Sequence, residues 1–246
     1  MIKISAVSYF NTIPFIYGLK KSKLVDSINL QLNYPSVCAD KLINGDVDLA
    51  LVPIVILPLL DEPQIISEYC IGANGAVETV CLYSDTPINK IESISLDYQS
   101  KTSVKLLKIL LKEYWKIDPI LYSSEVGFER KIYGNHAALV IGDRAFELNS
   151  KHKYIYDLPL YWKEMTGLPF VFAAWVSTKK LEKNFIKDFN YALKEGLNNI
   201  EIALNEEGSN YINCKNYKDY LNNKISYHLD SQKLKGMHLF LKKITN

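Results

Sequence analysis

Hydroxyl, amide and glycine residues recur where this chain passes from a strand into a helix, a placement suited to holding a small anion. The first case is residues 8–14 (SYFNTIP), which follow the strand-like opening of residues 1–7. A helix start leaves backbone N–H groups unpaired and carries a partial positive charge. Ser8 and Asn11 therefore flank a place where a carboxylate can rest. The pattern returns in residues 35–42 (PSVCADKL), where Ser36 is placed to cap a helix, and at Thr102 and Ser103 ahead of a helical run over 104–115. Gly142 and Asp143 form another strand-to-helix corner, with Asp143 able to cap. Gly72 and Gly75 allow the backbone conformations and close approaches that side chains resist.

Composition narrows what such sites serve. The chain has 246 residues, 48% of them hydrophobic, enough for a sizeable core in one large domain or two small ones. Its best apolar stretch, residues 49–60, is broken by Pro53 and Pro58 and is too short to span a bilayer. The net charge of +2 is spread over lysines, with only Arg130 and Arg144 to supply guanidinium forks, so a nucleic-acid footprint is not expected. Cys38, Cys70, Cys81 and Cys214 are far apart, and His136, His152, His228 and His238 form no ligand pair, so neither disulfides nor a metal site are expected. The alternating opening is unlike an export signal, and a cytoplasmic location follows as the expectation.

The elements that must position these residues read as repeated strand–helix periods. Strands are expected at Ile28–Asn33, 47–52, 64–71, Ser93–Leu96, His136–Ile141 and Phe170–Ser177, with a long β-prone run over 76–84. Amphipathic helices are expected over 180–203 and 230–243. The runs at 76–84 and 170–177 bracket about 85 residues with strand and helix periods of their own. The expected architecture is α/β with two lobes: residues 1–82 plus 174–246 as one, residues 83–173 as an inserted second. Two strands would cross between the lobes, with a ligand cleft at the carboxyl ends of the strands.

Seven blocks in order carry a family resemblance: residues 8–14, 35–42, 45–53 (GDVDLALVP), 72–80 (GANGAVETV), 101–103 (KTS), 140–143 (VIGD) and 166–175 (TGLPFVFAAW). Together they resemble the chorismate dehydratase family of the futalosine route to menaquinone. The resemblance implies a type 2 periplasmic-binding-protein-like fold used by a cytoplasmic enzyme. It also implies a cofactor-free hydro-lyase that takes chorismate as its small-molecule substrate and yields 3-[(1-carboxyvinyl)oxy]benzoate and water. On this resemblance Asn11 and Thr79 are the candidate catalytic residues, and Ser8, Ser36, Gly75, Thr102, Ser103, Gly142 and Asp143 line the substrate site. With two arginines in the chain, the substrate's carboxylates are expected to rest on backbone N–H groups and the hydroxyls of Ser36, Thr102 and Ser103. No conventional base stands out: strand alternation would turn Glu78 away from Thr79. Alternatives are the fold-sharing enzyme of the same pathway that forms 1,4-dihydroxy-6-naphthoate, expected to use a histidine base absent from the blocks, and a cytoplasmic small-anion-binding protein.

Overall fold

The computed structural model describes residues 1–148, 151–208 and 217–245. Cys214 lies outside them. The chain lays down β1 (Ile2–Val7), α1 (Ile13–Lys21), β2 (Ile28–Asn33), α2 (Pro35–Ile43), β3 (Leu49–Pro53) and β4 (Gln64–Ala73). It then leaves for β5 (Val80–Ser84), β6 (Ser93–Leu96), α3 (Lys101–Ile109), β7 (Ile120–Ser123), β8 (His136–Ile141), β9 (Tyr154–Asp157) and α4 (Leu158–Thr166). It returns through β10 (Phe170–Ser177) to α5 (Lys183–Asn198), α6 (Ile200–Glu207), α7 (Tyr217–Asp219) and α8 (Ser231–Thr245).

The strands form two five-stranded sheets, ordered β2-β1-β3-β10-β4 and β7-β6-β8-β5-β9. In each, three strands run parallel and the fourth, β10 or β5, is antiparallel to both neighbours. This is the expected α/β architecture with two sheets. The hand-over between them differs in detail from the expected crossing strands. β5 is laddered to β8 and β9 along its length and β10 to β3 and β4, so the chain changes sheets in residues 74–79 and again through α4. A strand paired on both edges has no free hydrogen-bonding edge to lend to a second sheet.

Fully buried β3 and nearly buried β8 are the apolar centres of the sheets. Helices cover the faces. Gly18 in α1 and Gly196 in α5 let these helices touch backbone to backbone: a Cβ at Gly196 would lie 1.8 Å from the Pro14 carbonyl oxygen. Trp175 of β10 packs edge-on against Phe15 of α1 and Phe189 of α5. Trp162 of α4 does the same with Phe170 and with Phe240 of α8, tying the second passage to the C-terminal helix. Among the described residues no helix is long and apolar enough to cross a membrane.

Three local expectations change. The β-prone run 76–84 is strand only from Val80, because the N–H groups of Val77 and Glu78 go to the Asp157 carboxylate (2.9 and 2.6 Å) and Glu78 takes a left-handed φ of 66°. Ser36 is not a cap: α2 begins at Pro35, whose missing N–H suits a first helical residue, and Tyr34 precedes it. The helical run over 180–203 breaks at Asn199 (φ −121°, ψ 36°) into α5 and α6.

Candidate active site

The C-terminal ends of β1, β3 and β8 and the start of α3 converge on a cavity of ≈ 70 Å³. The first sheet's side contributes Tyr9, Asn11 and Phe172, and the second's Ser100, Thr102 and Gly142. Each polar group arrives there for a local reason. β1 ends at Val7, and a short 3₁₀ turn over Phe10–Thr12 follows before α1. Thr12 closes that turn by donating its hydroxyl to the Val7 and Tyr9 carbonyls (2.5 and 2.6 Å), and Tyr227 donates to the Asn11 carbonyl (2.9 Å). The Asn11 backbone is thereby held while its side chain caps nothing. Its Oδ1 is buried at the cavity without a hydrogen-bond partner.

On the other side Ser100 caps α3, its Oγ accepting from the Ser103 N–H (3.0 Å) and donating to the Ser103 hydroxyl (2.9 Å). By helix geometry the Lys101 and Thr102 N–H groups have no acceptor within the helix. Thr102 Oγ1 is a second buried oxygen without a partner. Two unsatisfied buried oxygens in one cavity are informative, since each costs about 1–3 kcal/mol unless a ligand or solvent engages it. Thr79 also lines the cavity, its hydroxyl 2.9 Å from that of Tyr220.

Buried carboxylates brace this frame from behind. Asp97, just past β6, accepts from the N–H groups of Gln99 and Ile141 (2.9 Å each) and is forked by Arg144 (2.8 and 2.6 Å). Burial raises its pKa against the pull of that guanidinium. It thus fixes the end of β8 and presents Gly142, where a φ of 66° would strain any side chain and the Tyr9 ring, 3.3 Å from a built Cβ, would crowd it. Asp157 caps α4 through the Leu160 N–H and also holds the loop that delivers Thr79.

Of the residues expected to contact ligand, Asn11, Thr79, Thr102, Ser103 and Gly142 line the cavity, and Ser8, Ser36, Gly75 and Asp143 do not. The Ser8 N–H extends the β1–β2 ladder to the Asn33 carbonyl (2.9 Å). Pro35 lines the wall in place of Ser36, and Gly75 lies in the link between β4 and β5 with a φ of 125°. Asp143 does not cap its own turn; its carboxylate accepts the Phe10 N–H (3.3 Å), linking the second sheet to the turn that carries Asn11. Burial pushes its pKa up to about 6.

Both arginines lie off the cavity lining, Arg130 exposed and Arg144 stacked on Tyr98 and Phe128. Glu78 is turned out to pair with Lys224 (2.5 Å). None of the four histidines lines the cavity; His136 bridges the Ser93 and Ser95 hydroxyls (2.7 and 2.9 Å). The lining's one ionisable side chain among the described residues is Tyr9, whose hydroxyl donates to Gln99 (2.7 Å) and whose pKa is raised by burial and by Asp97. Tyr9, Ser100, Asp97 and Tyr220 were not singled out from the sequence. An Asp directly after a strand and two residues before its bonded N–H is an Asx-turn signal that could have marked Asp97. Tyr220 has no local signal, since Thr79 is 141 residues away in the chain.

The model of a family described as menaquinone biosynthesis matches residues 2–246. A chorismate dehydratase of Thermus thermophilus is 28% identical over 220 residues, covering 81% of this chain and 80% of that one. A chorismate dehydratase of Campylobacter jejuni is 29% identical over 192 residues, covering 74% and 71%. Among solved structures, a Candida albicans protein described as having the generic periplasmic binding protein fold superposes with a TM-score of 0.67 at 10% identity, covering 100% of this chain and 90% of that one. At that identity the likeness concerns the fold alone.

Proposed function

The chain belongs to the menaquinone biosynthesis family, and from that premise we propose that it is a chorismate dehydratase, forming 3-[(1-carboxyvinyl)oxy]benzoate and water, in the futalosine route and in the cytoplasm. The observation that carries the reading at the site is the pair of buried, unpartnered oxygens, Asn11 Oδ1 and Thr102 Oγ1, in a cavity whose lining offers no carboxylate, imidazole or amine among the described residues. Such a cavity is made to hold a polar substrate rather than to exchange protons with it.

The chemistry tolerates that. In chorismate the ring hydrogen to be lost is on the carbon bearing the enolpyruvyl ether, and it is acidified through the ring double bond conjugated to the carboxylate. Breaking that C–H bond and the neighbouring C–O bond places a new double bond between the two carbons and makes the ring aromatic. The base is then the substrate's own enolpyruvyl carboxylate, folded over the ring, and the proton leaves with the hydroxyl as water. Asn11 accepts from the ring hydroxyl and fixes its direction of departure. Thr79 orients the enolpyruvyl carboxylate, and the ring carboxylate rests on the α3 N-terminus with the Thr102 hydroxyl and Ser103. Positioning of this kind can supply roughly 7–11 kcal/mol of barrier lowering in well-oriented intramolecular reactions. Two units, one built on each sheet, close around the substrate.

Incubating the pure protein with chorismate and following the product by mass and aromatic NMR signals tests the reading. A product lighter than chorismate by one water, with a meta-substituted ring, is expected. Binding without turnover would instead favour the anion-binding alternative.

A further inference from the structure

Tyr220 is 3% exposed, and its hydroxyl oxygen lies 2.9 Å from that of Thr79. Its ring packs at right angles on Phe146 (5.0 Å) and tilted on Phe10 (6.2 Å). Phe10 opens the turn that carries Asn11, and Phe146 lies in the turn that begins with Gly142. Four residues on, Lys224 pairs with Glu78, the neighbour of Thr79. The C-terminal segment thus grips the 77–79 loop by two side chains at once, and the Gly142 N–H closes the frame on the Thr79 carbonyl (2.9 Å).

A threonine hydroxyl has one hydrogen and a freely turning C–O bond, so lining a cavity does not decide where that hydrogen points. A phenol 2.9 Å away fixes that direction only when the phenol is the donor. We propose that Tyr220 is a positioning residue for the dehydration: it donates its O–H to Thr79 Oγ1, and the Thr79 O–H is thereby aimed into the cavity at the enolpyruvyl carboxylate. The hydrogen bond also polarises the threonine hydroxyl and strengthens it as a donor. Tyr220 touches no reacting atom; its effect passes entirely through Thr79. The inference rests on the reading of Thr79 given above.

A kinetic double-mutant cycle tests it, with Tyr220→Phe keeping the ring and its packing on Phe10 and Phe146. In the parent background Tyr220→Phe is expected to lower kcat/KM about tenfold, the size of one lost hydrogen bond, with the thermal midpoint little changed. In a Thr79→Ala background the same change is expected to have an effect within about twofold, whereas in Thr79→Ser, which keeps the hydroxyl, the tenfold loss should persist. A tenfold loss that survives Thr79→Ala, or no loss in the parent, overturns the role of Tyr220 while leaving Thr79 in place. Full activity of Thr79→Ala by itself overturns the reading of Thr79 and this inference with it.

Discussion

The two sheets share one plan, three neighbouring parallel strands followed by a strand antiparallel to both its neighbours and a fifth strand at the edge. The helices they send to the cavity nevertheless begin differently. In the first sheet α1 carries Pro14 in its opening turn and α2 opens on Pro35, so donors are missing where an anion would need them. In the second sheet α3 opens on Lys101, Thr102 and Ser103 behind a serine cap, keeping its N–H groups and adding hydroxyls. The first sheet's distinctive contribution is the Asn11 amide, held on a turn ahead of α1. On the proposed reading the same topology divides the work: the second sheet binds charge and the first directs a leaving group.

The largest expected effect breaks the first half of that comparison. Replacing Asn11 with Ala should lower kcat by roughly 10²–10³-fold, the usual loss on removing one preorganised hydrogen-bonding group from an active site. KM should move only a few-fold, because the carboxylates are held elsewhere. Steady-state kinetics with chorismate reads both numbers. A variant with normal kcat and a raised KM would mean that Asn11 binds charge and that the two sheets do not differ as argued.

The next effect concerns the link between the sheets. Burial raises the Asp143 pKa to about 6 from an ordinary 3.8, so ionisation disfavours the folded state. The stability contributed by the neutral carboxyl is fully present below pH 3.8 and is lost as pH rises through 6. The loss is on the order of 2–3 kcal/mol across that window. Urea denaturation of the parent and of Asp143→Asn at a series of pH values between 4 and 7.5 measures it. Relative to Asp143→Asn the parent should lose stability as pH rises, and a difference that is flat or grows with pH would show the carboxylate to be well satisfied by Phe10.

How far the sequence carries the argument depends on the distance over which each feature is determined. β2, β6, β8 and β10 are legible to the residue, and β8 and β10 show why: their apolar runs are buried and bounded by turn residues. β7, an edge strand exposed along most of its length, has no such pattern, and it was not expected. Thr102 and Ser103 were expected just ahead of the helix as capping types, whereas α3 begins at Lys101 with Ser100 as its cap and both residues lie in its first turn. Asp143 was read as a cap on the same logic, but its carboxylate found the Phe10 N–H, 133 residues away. Glu78 was placed outside the site for a reason that does not hold, strand alternation, whereas a left-handed backbone and Lys224 turn it out.

The smallest expected effect sharpens the second half of the comparison. Thr102→Val keeps the shape of the side chain and removes a hydroxyl whose oxygen is buried and unpartnered. A hydroxyl with no partner in the folded protein gives nothing up when it is deleted, so stability should hold or rise slightly. Substrate is another matter: if the hydroxyl donates to the ring carboxylate, its loss should raise KM about tenfold, the worth of one hydrogen bond to a charged group at the weak end of its range. Because that bond is present before and during elimination alike, kcat should stay within about threefold. Thermal denaturation and steady-state kinetics on one preparation separate the cases. A destabilised variant would mean that Thr102 serves the fold, and a fall in kcat at constant KM would place it with Asn11 at the reacting carbon, erasing the division of labour between the sheets.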